Sequence, residues 1–252
     1  MILLWRPGHS WPLLIAANRD ERLDRAWDPP GTHWPGKPGL IGGRDRSGGG
    51  SWMAMQHGVV AAVLNRPGSL GPESGKRSRG ELPLLAAGAA SAEHGAAAIA
   101  ALDAAQWRPF NMVVADRHGA HFLRGPGAGR PEVVALPPGI TMVTAQDPND
   151  LASPRTRRHL PRFRAAPPPD PDQDDWRSWE TLLADAGTGE AGIAEALCIP
   201  PVQGFGTVCA SLVALGAQGA RHWRFCPAPP GSMAFAALSL PPRHGDPTHP
   251  LL

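Results

Sequence analysis

Apolar runs recur along the chain in pairs, each pair split by a short polar turn containing glycine. Residues 51–55 and 59–65 flank Gln56-His57-Gly58, and residues 111–116 and 120–124 flank Arg117-His118-Gly119. Residues 208–215 and 221–225 flank Gly216-Ala217-Gln218-Gly219. Two β-rich runs joined by such a turn read as an antiparallel hairpin, because glycine there adopts the backbone conformations a tight reversal needs. A first hairpin is expected from residues 3–5 and 13–17, and further strands at 133–136, 140–145 and 233–238. Helical patterns lie between these strands, at 81–89 and 91–105, with Ser91 placed to cap the second. Ser153-Pro154 opens a basic helix to residue 164, with proline at the first helical position, and two more helices are expected at 176–185 and 190–197. Hairpins interspersed with helix pairs suggest stacked antiparallel sheets with helices outside, an α+β arrangement; strand-helix-strand alternation is too weak for a parallel doubly wound sheet.

With 252 residues, 42% of them hydrophobic, the chain suits one large domain with a sizeable core, expected over residues 1–240 with a loose tail at 241–252. The stretch at 165–175, with three consecutive prolines and four aspartates, reads as a surface loop because strands resume beyond it; as a docking segment for a protein partner it is the weaker reading. A net charge of +2, with no basic stripe interleaved with aromatics, gives no footprint for nucleic acid. Cys198, Cys209 and Cys226 form no Cys-x-x-Cys pair, the ten histidines form no zinc signature, and no metal site is expected. The first apolar run is too short for a signal peptide, and no run reaches the roughly 18 residues of a membrane span, so a cytoplasmic protein is expected.

Three segments draw attention as chemistry. Asn18-Arg19-Asp20-Glu21 leaves an apolar run and supplies an amide, a guanidinium and two carboxylates at a strand end; composition alone reads it as a solvated charge run. Asn65 ends another long apolar run, where a side-chain amide is placed to donate to an oxyanion, although Asn65-Arg66-Pro67-Gly68 also reads as a plain turn. A third segment, residues 74–81, is basic, glycine-bearing and leads into a helix, a setting in which Arg79 meets an anion; the order of a phosphate loop is absent. The glycine-rich stretch at 42–50 reads as a loop.

Taken in order, several of these pieces resemble the NRDE family, also called the Transport and Golgi Organisation type-two family. The residues that carry the resemblance are Leu14-Ile15-Ala16-Ala17-Asn18-Arg19-Asp20-Glu21, Gly42-Gly43-Arg44-Asp45, Gly49-Gly50-Ser51-Trp52, Ala62-Val63-Leu64-Asn65, Ser78-Arg79-Gly80-Glu81-Leu82, Phe110-Asn111-Met112-Val113-Val114-Ala115-Asp116 and Gly204-Phe205-Gly206-Thr207. The resemblance implies a four-layer αββα sandwich of the N-terminal-nucleophile hydrolase type. It also implies haem handling inside the cell, with haem as cargo and no intrinsic cofactor. Arg19, Arg66 and Arg79 would then meet propionates, and Asn18, Asp20, Glu21 and Asn65 complete the expected ligand-binding set. In the related choloylglycine-hydrolase group an N-terminal cysteine attacks an amide, and Arg19, Asp20 and Asn65 fall where that machinery has its arginine, aspartate and oxyanion asparagine. This sequence departs at its first residues, because the family opens Met-Cys and here Met1-Ile2 stands. Ile2 has no nucleophilic atom, so a non-catalytic binder is the expected function, and hydrolysis of linear amides is the alternative if the true start lies upstream and includes a cysteine. A second departure is Thr144-Ala145-Gln146, where related amidases keep an asparagine.

Overall fold

The computed structural model describes residues 1–242. Thirteen strands and four α-helices follow one another along them: β1 Ile2–Trp5, β2 Leu13–Arg22, β3 Trp27–Gly31, β4 Ile41–Asp45, β5 Ser51–Gln56, β6 Val59–Asn65, α1 Glu81–Ala87, α2 Ala92–Ala100, β7 Phe110–Ala115, β8 Ala120–Gly125, β9 Glu132–Ala135, β10 Gly139–Met142, α3 Pro154–Ala165, α4 Arg177–Leu183, β11 Phe205–Leu215, β12 Arg221–Cys226 and β13 Ala236–Ala237. One sheet has the order β10-β1-β2-β11-β12-β13 and the other β3-β4-β5-β6-β7-β8-β9, with every pairing antiparallel.

Period-two alternation in the strands sorts the apolar side chains into three cores. In β2, Leu13, Ile15 and Ala17 join Met53, Val60, Val113 and Trp223 between the two sheets, whereas Leu14 and Ala16 face Leu160, Phe163, Trp179 and Leu183 under α3 and α4. The outer face of the second sheet packs Ala61, Met112 and Val114 against Leu82, Ala86, Ala96 and Ile99 of α1 and α2. Helix, sheet, sheet, helix is the αββα sandwich of the N-terminal-nucleophile hydrolase type.

The hairpins stand where the turns place them, but several elements differ from the pattern. Residues 41–45 form β4 rather than a loop, because Gly42 and Gly43 let the backbone approach its neighbours: a Cβ on Gly43 would lie 2.1 Å from the Trp52 ring. Strand β3 contains Pro29 and Pro30, which a sheet tolerates because β3 is an edge strand. The helix expected over 91–105 ends at Ala100, and the one expected over 190–197 shrinks to a single 3-10 turn, Ile193–Glu195. Regular pairing in β10 ends at Met142, and β13 is only two residues long. The expected tail at 241–252 lies mostly outside the described residues; within them, the Pro241 carbonyl accepts a bond of 2.6 Å from Arg221 Nη2. No helix among the described residues is long and apolar enough to cross a membrane.

His159 of α3 is fully buried, and its Nε2 is 2.8 Å from the Glu195 carbonyl, tying α3 to the 3-10 turn. Burial holds its pKa below the ordinary value of 6.5. A histidine more easily protonated in the unfolded chain contributes stability above pH 6.5 that is lost as pH falls through that value. Urea melts of wild type and His159→Gln should therefore show the wild type losing stability more steeply from pH 7 to pH 5. Parallel profiles would refute the assignment.

Candidate functional site

Strand β2 does not end at Ala17. It runs through the charged motif to Arg22, so strand alternation acts on charges as it does on apolar residues. Asn18 points to the helix layer, where its Nδ2 donates to the carbonyls of Leu183 and Leu197, both at 2.9 Å. Asp20 lies on the same face: its Oδ1 accepts from Thr207 Oγ1 at 2.6 Å, and Arg155 Nη1 of α3 donates to its Oδ2 at 3.1 Å. Thr207 also accepts from the Ile199 backbone at 2.8 Å and sits beside a bulge in β11. The Gly204-Phe205-Gly206-Thr207 motif thus acts as the holder of Asp20.

Arg19 points the other way, between the sheets. Its guanidinium lies 4.2 Å from the Trp52 ring centroid and 6.0 Å from that of Trp27. The side chain is 7% exposed and meets Glu21 at 3.5 Å, while Nη1 is buried without a hydrogen-bond partner. Burial lowers its pKa, with Cys209, Glu21 and Asp45 opposing the shift. A solvated ion pair does not describe this arginine, whose guanidinium also stacks on an aromatic face.

These residues border a cavity of about 640 Å³ at one end of the sandwich, within the range of small-molecule sites. Its walls include Asn18, Arg19, Asp20, Glu21, Asn65 and Arg79 together with Met1, Trp52, Thr144 and Arg155, and Met53, Ala62, Val63 and Leu64 give it an apolar floor. Seven arginine or lysine side chains line it against four aspartates or glutamates, so an anion is favoured. Arg79 Nη1 donates to the Ser69 carbonyl and hydroxyl, each at 2.8 Å, and burial pushes its pKa down to about 10 with Arg108 adding to the effect. Gly80 next to it accepts from the Ser51 backbone at 2.8 Å, and a Cβ on Gly50 would lie 2.3 Å from the Gly80 carbonyl carbon. The two glycine motifs are therefore halves of one close contact that sets Arg79 and Trp52 on the same wall.

Arg66 is the exception in the expected set. It does not line the cavity; its Nη1 donates to Asn111 Oδ1 at 2.6 Å and to Asp147 at 2.7 Å. Asn111 is fully buried and in turn donates to the carbonyls of Thr144 at 3.0 Å and Gln146 at 2.6 Å, which fixes the segment after β10 as a cavity wall. Sequence reasoning quoted Trp52, Asn111 and Thr207 without a role and missed Arg155.

Met1 stands where β1 opens on the cavity. Its α-amine donates to the Val143 carbonyl at 2.9 Å, and burial lowers its pKa to about 5, with Arg155 adding to the shift and Asp20 opposing it. A thioether has no proton to lose and is no acyl-transfer nucleophile, so Met1 and Ile2 supply none. Cys198, Cys209 and Cys226 are buried off the cavity, and burial pushes the Cys209 thiol up to about 12. Neither histidine nor cysteine lines the cavity among the described residues, and those residues contain no cluster of three metal-ligating side chains.

A family model described as Transport and Golgi organisation 2 matches residues 1–163, more than half of the chain. Among solved structures, the chain is similar to a Caenorhabditis elegans N-acylethanolamine-hydrolyzing acid amidase ortholog, with a TM-score of 0.53 and 10% identity over 84% of this chain and 90% of that one. No curated protein matches the chain.

Because the Gly43 Cβ position is filled by the Trp52 ring, Gly43→Ala should drive Trp52 off Arg19. The expected result is a loss of about 1–3 kcal/mol in chemical denaturation, from overpacking, with a changed tryptophan emission maximum. Unchanged stability and emission would show that the ring is not held as described.

Proposed function

The chain belongs to the Transport and Golgi organisation 2 family, and on that footing we propose that it is a non-catalytic small-molecule binder on an amidase-like scaffold, with haem as its cargo. The observation that carries this reading is the cavity itself: about 640 Å³, apolar along Met53, Ala62, Val63 and Leu64, and rimmed by an excess of cations. A flat apolar ligand with carboxylates at one edge suits such a wall, with Arg19 and Arg79 as its charge partners. Met1 and Met53 are the soft donors on the lining, and no histidine accompanies them among the described residues. Iron is therefore held weakly or not at all, as a carrier that hands its cargo on requires.

Titration of the purified protein with haemin should move the Soret band, and Arg19→Met should weaken binding about tenfold or more, the worth of one charge-assisted hydrogen bond. An unmoved Soret band, together with no transfer to an acceptor apoprotein, would rule the haem reading out.

The alternative is hydrolysis of linear amides. What favours it is the opening of β1 on the cavity wall beside Arg19 and Asp20, with an amine there that is uncharged at neutral pH and competent as a base. The thioether of Met1 leaves that base without a nucleophile to activate, so binding is the better-supported reading for these residues. Amine release from an N-acyl substrate by protein expressed from its own gene, abolished by iodoacetamide, would reverse the preference.

A further inference from the structure

Residues 66–80 join β6 to α1 without forming a strand or a helix. Leu70, Gly71, Pro72 and Glu73 of this connection line the cavity and are at the same time exposed to solvent, so they form part of its rim. Both ends of the rim are anchored. Ser69 is buried, and its hydroxyl accepts from the Arg66 N–H at 3.0 Å and from Arg79 Nη1 at 2.8 Å. At the other end the Arg77 N–H donates to the Gln106 carbonyl at 2.8 Å, and Lys76 Nζ to the Ala105 carbonyl at 2.6 Å. Between these anchors, residues 70–75 share no backbone hydrogen bond with another element among the described residues. Leu70, their largest apolar side chain, is 61% exposed and so adds no core.

The glycines of this stretch differ from those of the wall. Gly43 and Gly50 stand where a neighbour leaves no room for a Cβ, whereas a Cβ on Gly68, Gly71 or Gly75 would meet nothing within 4 Å. All three have positive φ, at +73°, +78° and +77°. Such positions serve the path of the backbone rather than close packing, and residues of that kind absorb the rotations of a hinge. What holds the stretch down is chiefly one guanidinium. Arg108, just ahead of β7, donates from Nη2 to the Gly68 carbonyl and from Nη1 to the Leu70 carbonyl, both at 2.7 Å. The Gly71 and Pro72 carbonyls lie 3.4 and 3.5 Å from the same Nη1, and Nε lies 3.3 Å from Glu73 Oε2. Charged donors make the stronger hydrogen bonds, and here they come from a single side chain that also lines the cavity. Their loss frees the loop without touching a pairing of either sheet.

We propose that residues 70–75 are a lid at the mouth of the cavity, hinged at Gly68 and Gly75 and latched by Arg108 with Glu73, and that its opening sets the rate at which a ligand enters and leaves. Lid movements of this kind commonly limit the exchange of a bound molecule. The inference rests on the cavity taking a ligand, and not on which ligand that is.

Two measurements on the full chain test it. The sequence offers a lysine-specific protease only Lys37 and Lys76, and Lys76 borders the lid. Arg108→Met should speed cleavage after Lys76 about tenfold or more, the worth of one or two lost hydrogen bonds, and leave cleavage after Lys37 as it was. Equal rates at Lys76 in the two proteins overturn the latch. The second measurement is the release of anilinonaphthalene sulfonate, an apolar anion, followed by stopped-flow fluorescence from wild type and Glu73→Gln. Glu73 is about half exposed, so this variant folds even where Arg108→Met does not. Losing a negative charge from the rim should, by electrostatics alone, slow the release of an anion. A looser latch does the opposite, and release should be about threefold faster, the scale of one exposed ion pair. Release that is unchanged or slower overturns the lid and leaves the binding reading standing. No binding of the dye to either protein counts against both, because a gate without a guest controls nothing.

Discussion

Strand β2 is paired over its full length on one edge and over less than half of it on the other, and the site depends on that inequality. The long pairing with β11 holds the strand straight to Arg22 even though its last five residues are polar or charged. The short pairing with β1 leaves space beside those same residues. A β2 that stopped at Ala17 would leave the motif as solvated loop. Charged residues in the middle of a sheet are tolerated here because each finds a partner layer by alternation. Asn18 and Asp20 serve the helices on one face, and Arg19 and Glu21 serve the space between the sheets on the other.

The buried charges are held in different ways. Asp20 has a hydroxyl and a guanidinium on its two oxygens, from Thr207 and Arg155, so its lone pairs are largely satisfied. Arg19 has one long contact to Glu21 and two tryptophan rings. Desolvating a guanidinium costs several kcal/mol, and stacking on a ring restores a part of that. The remaining deficit is borne by a buried nitrogen, Nη1, that has no hydrogen-bond partner. A residue kept under-satisfied beside a cavity gains most from an anion arriving there.

How much of this was legible follows from the range of the interactions. The hairpins β5-β6, β7-β8 and β11-β12 are set by local turns, and a sequence displays those. The motif Asn18-Arg19-Asp20-Glu21 stood out too, but its continuation as a strand did not, because the partner that enforces it, β11, lies nearly two hundred positions away. The stretch at 42–50 has loop composition, yet its glycines are there for the closeness of Trp52 and Gly80 rather than for flexibility. Arg66 was expected to meet a propionate, but its side chain is used to hold Asn111 and Asp147. Neighbours in sequence at a strand end diverge as soon as the chain turns, and Asn65 and Arg66 show it.

The polar groups around the cavity divide into those already used and those left over, and the division is what gives the site its character. Asn18 Nδ2, Asn111, Thr207 and one nitrogen of Arg79 are bonded to protein carbonyls, hydroxyls or carboxylates and act as struts. Removing a strut leaves a buried carbonyl or carboxylate unpaired, so such a change would act first on stability. The groups left over are Arg19 Nη1 and Asn18 Oδ1, both buried without a hydrogen-bond partner. Both kinds coexist within Asn18, whose amide nitrogen ties two helix-layer carbonyls while its oxygen has no donor. That residue therefore couples the helix-facing side of β2 to the packing of α4.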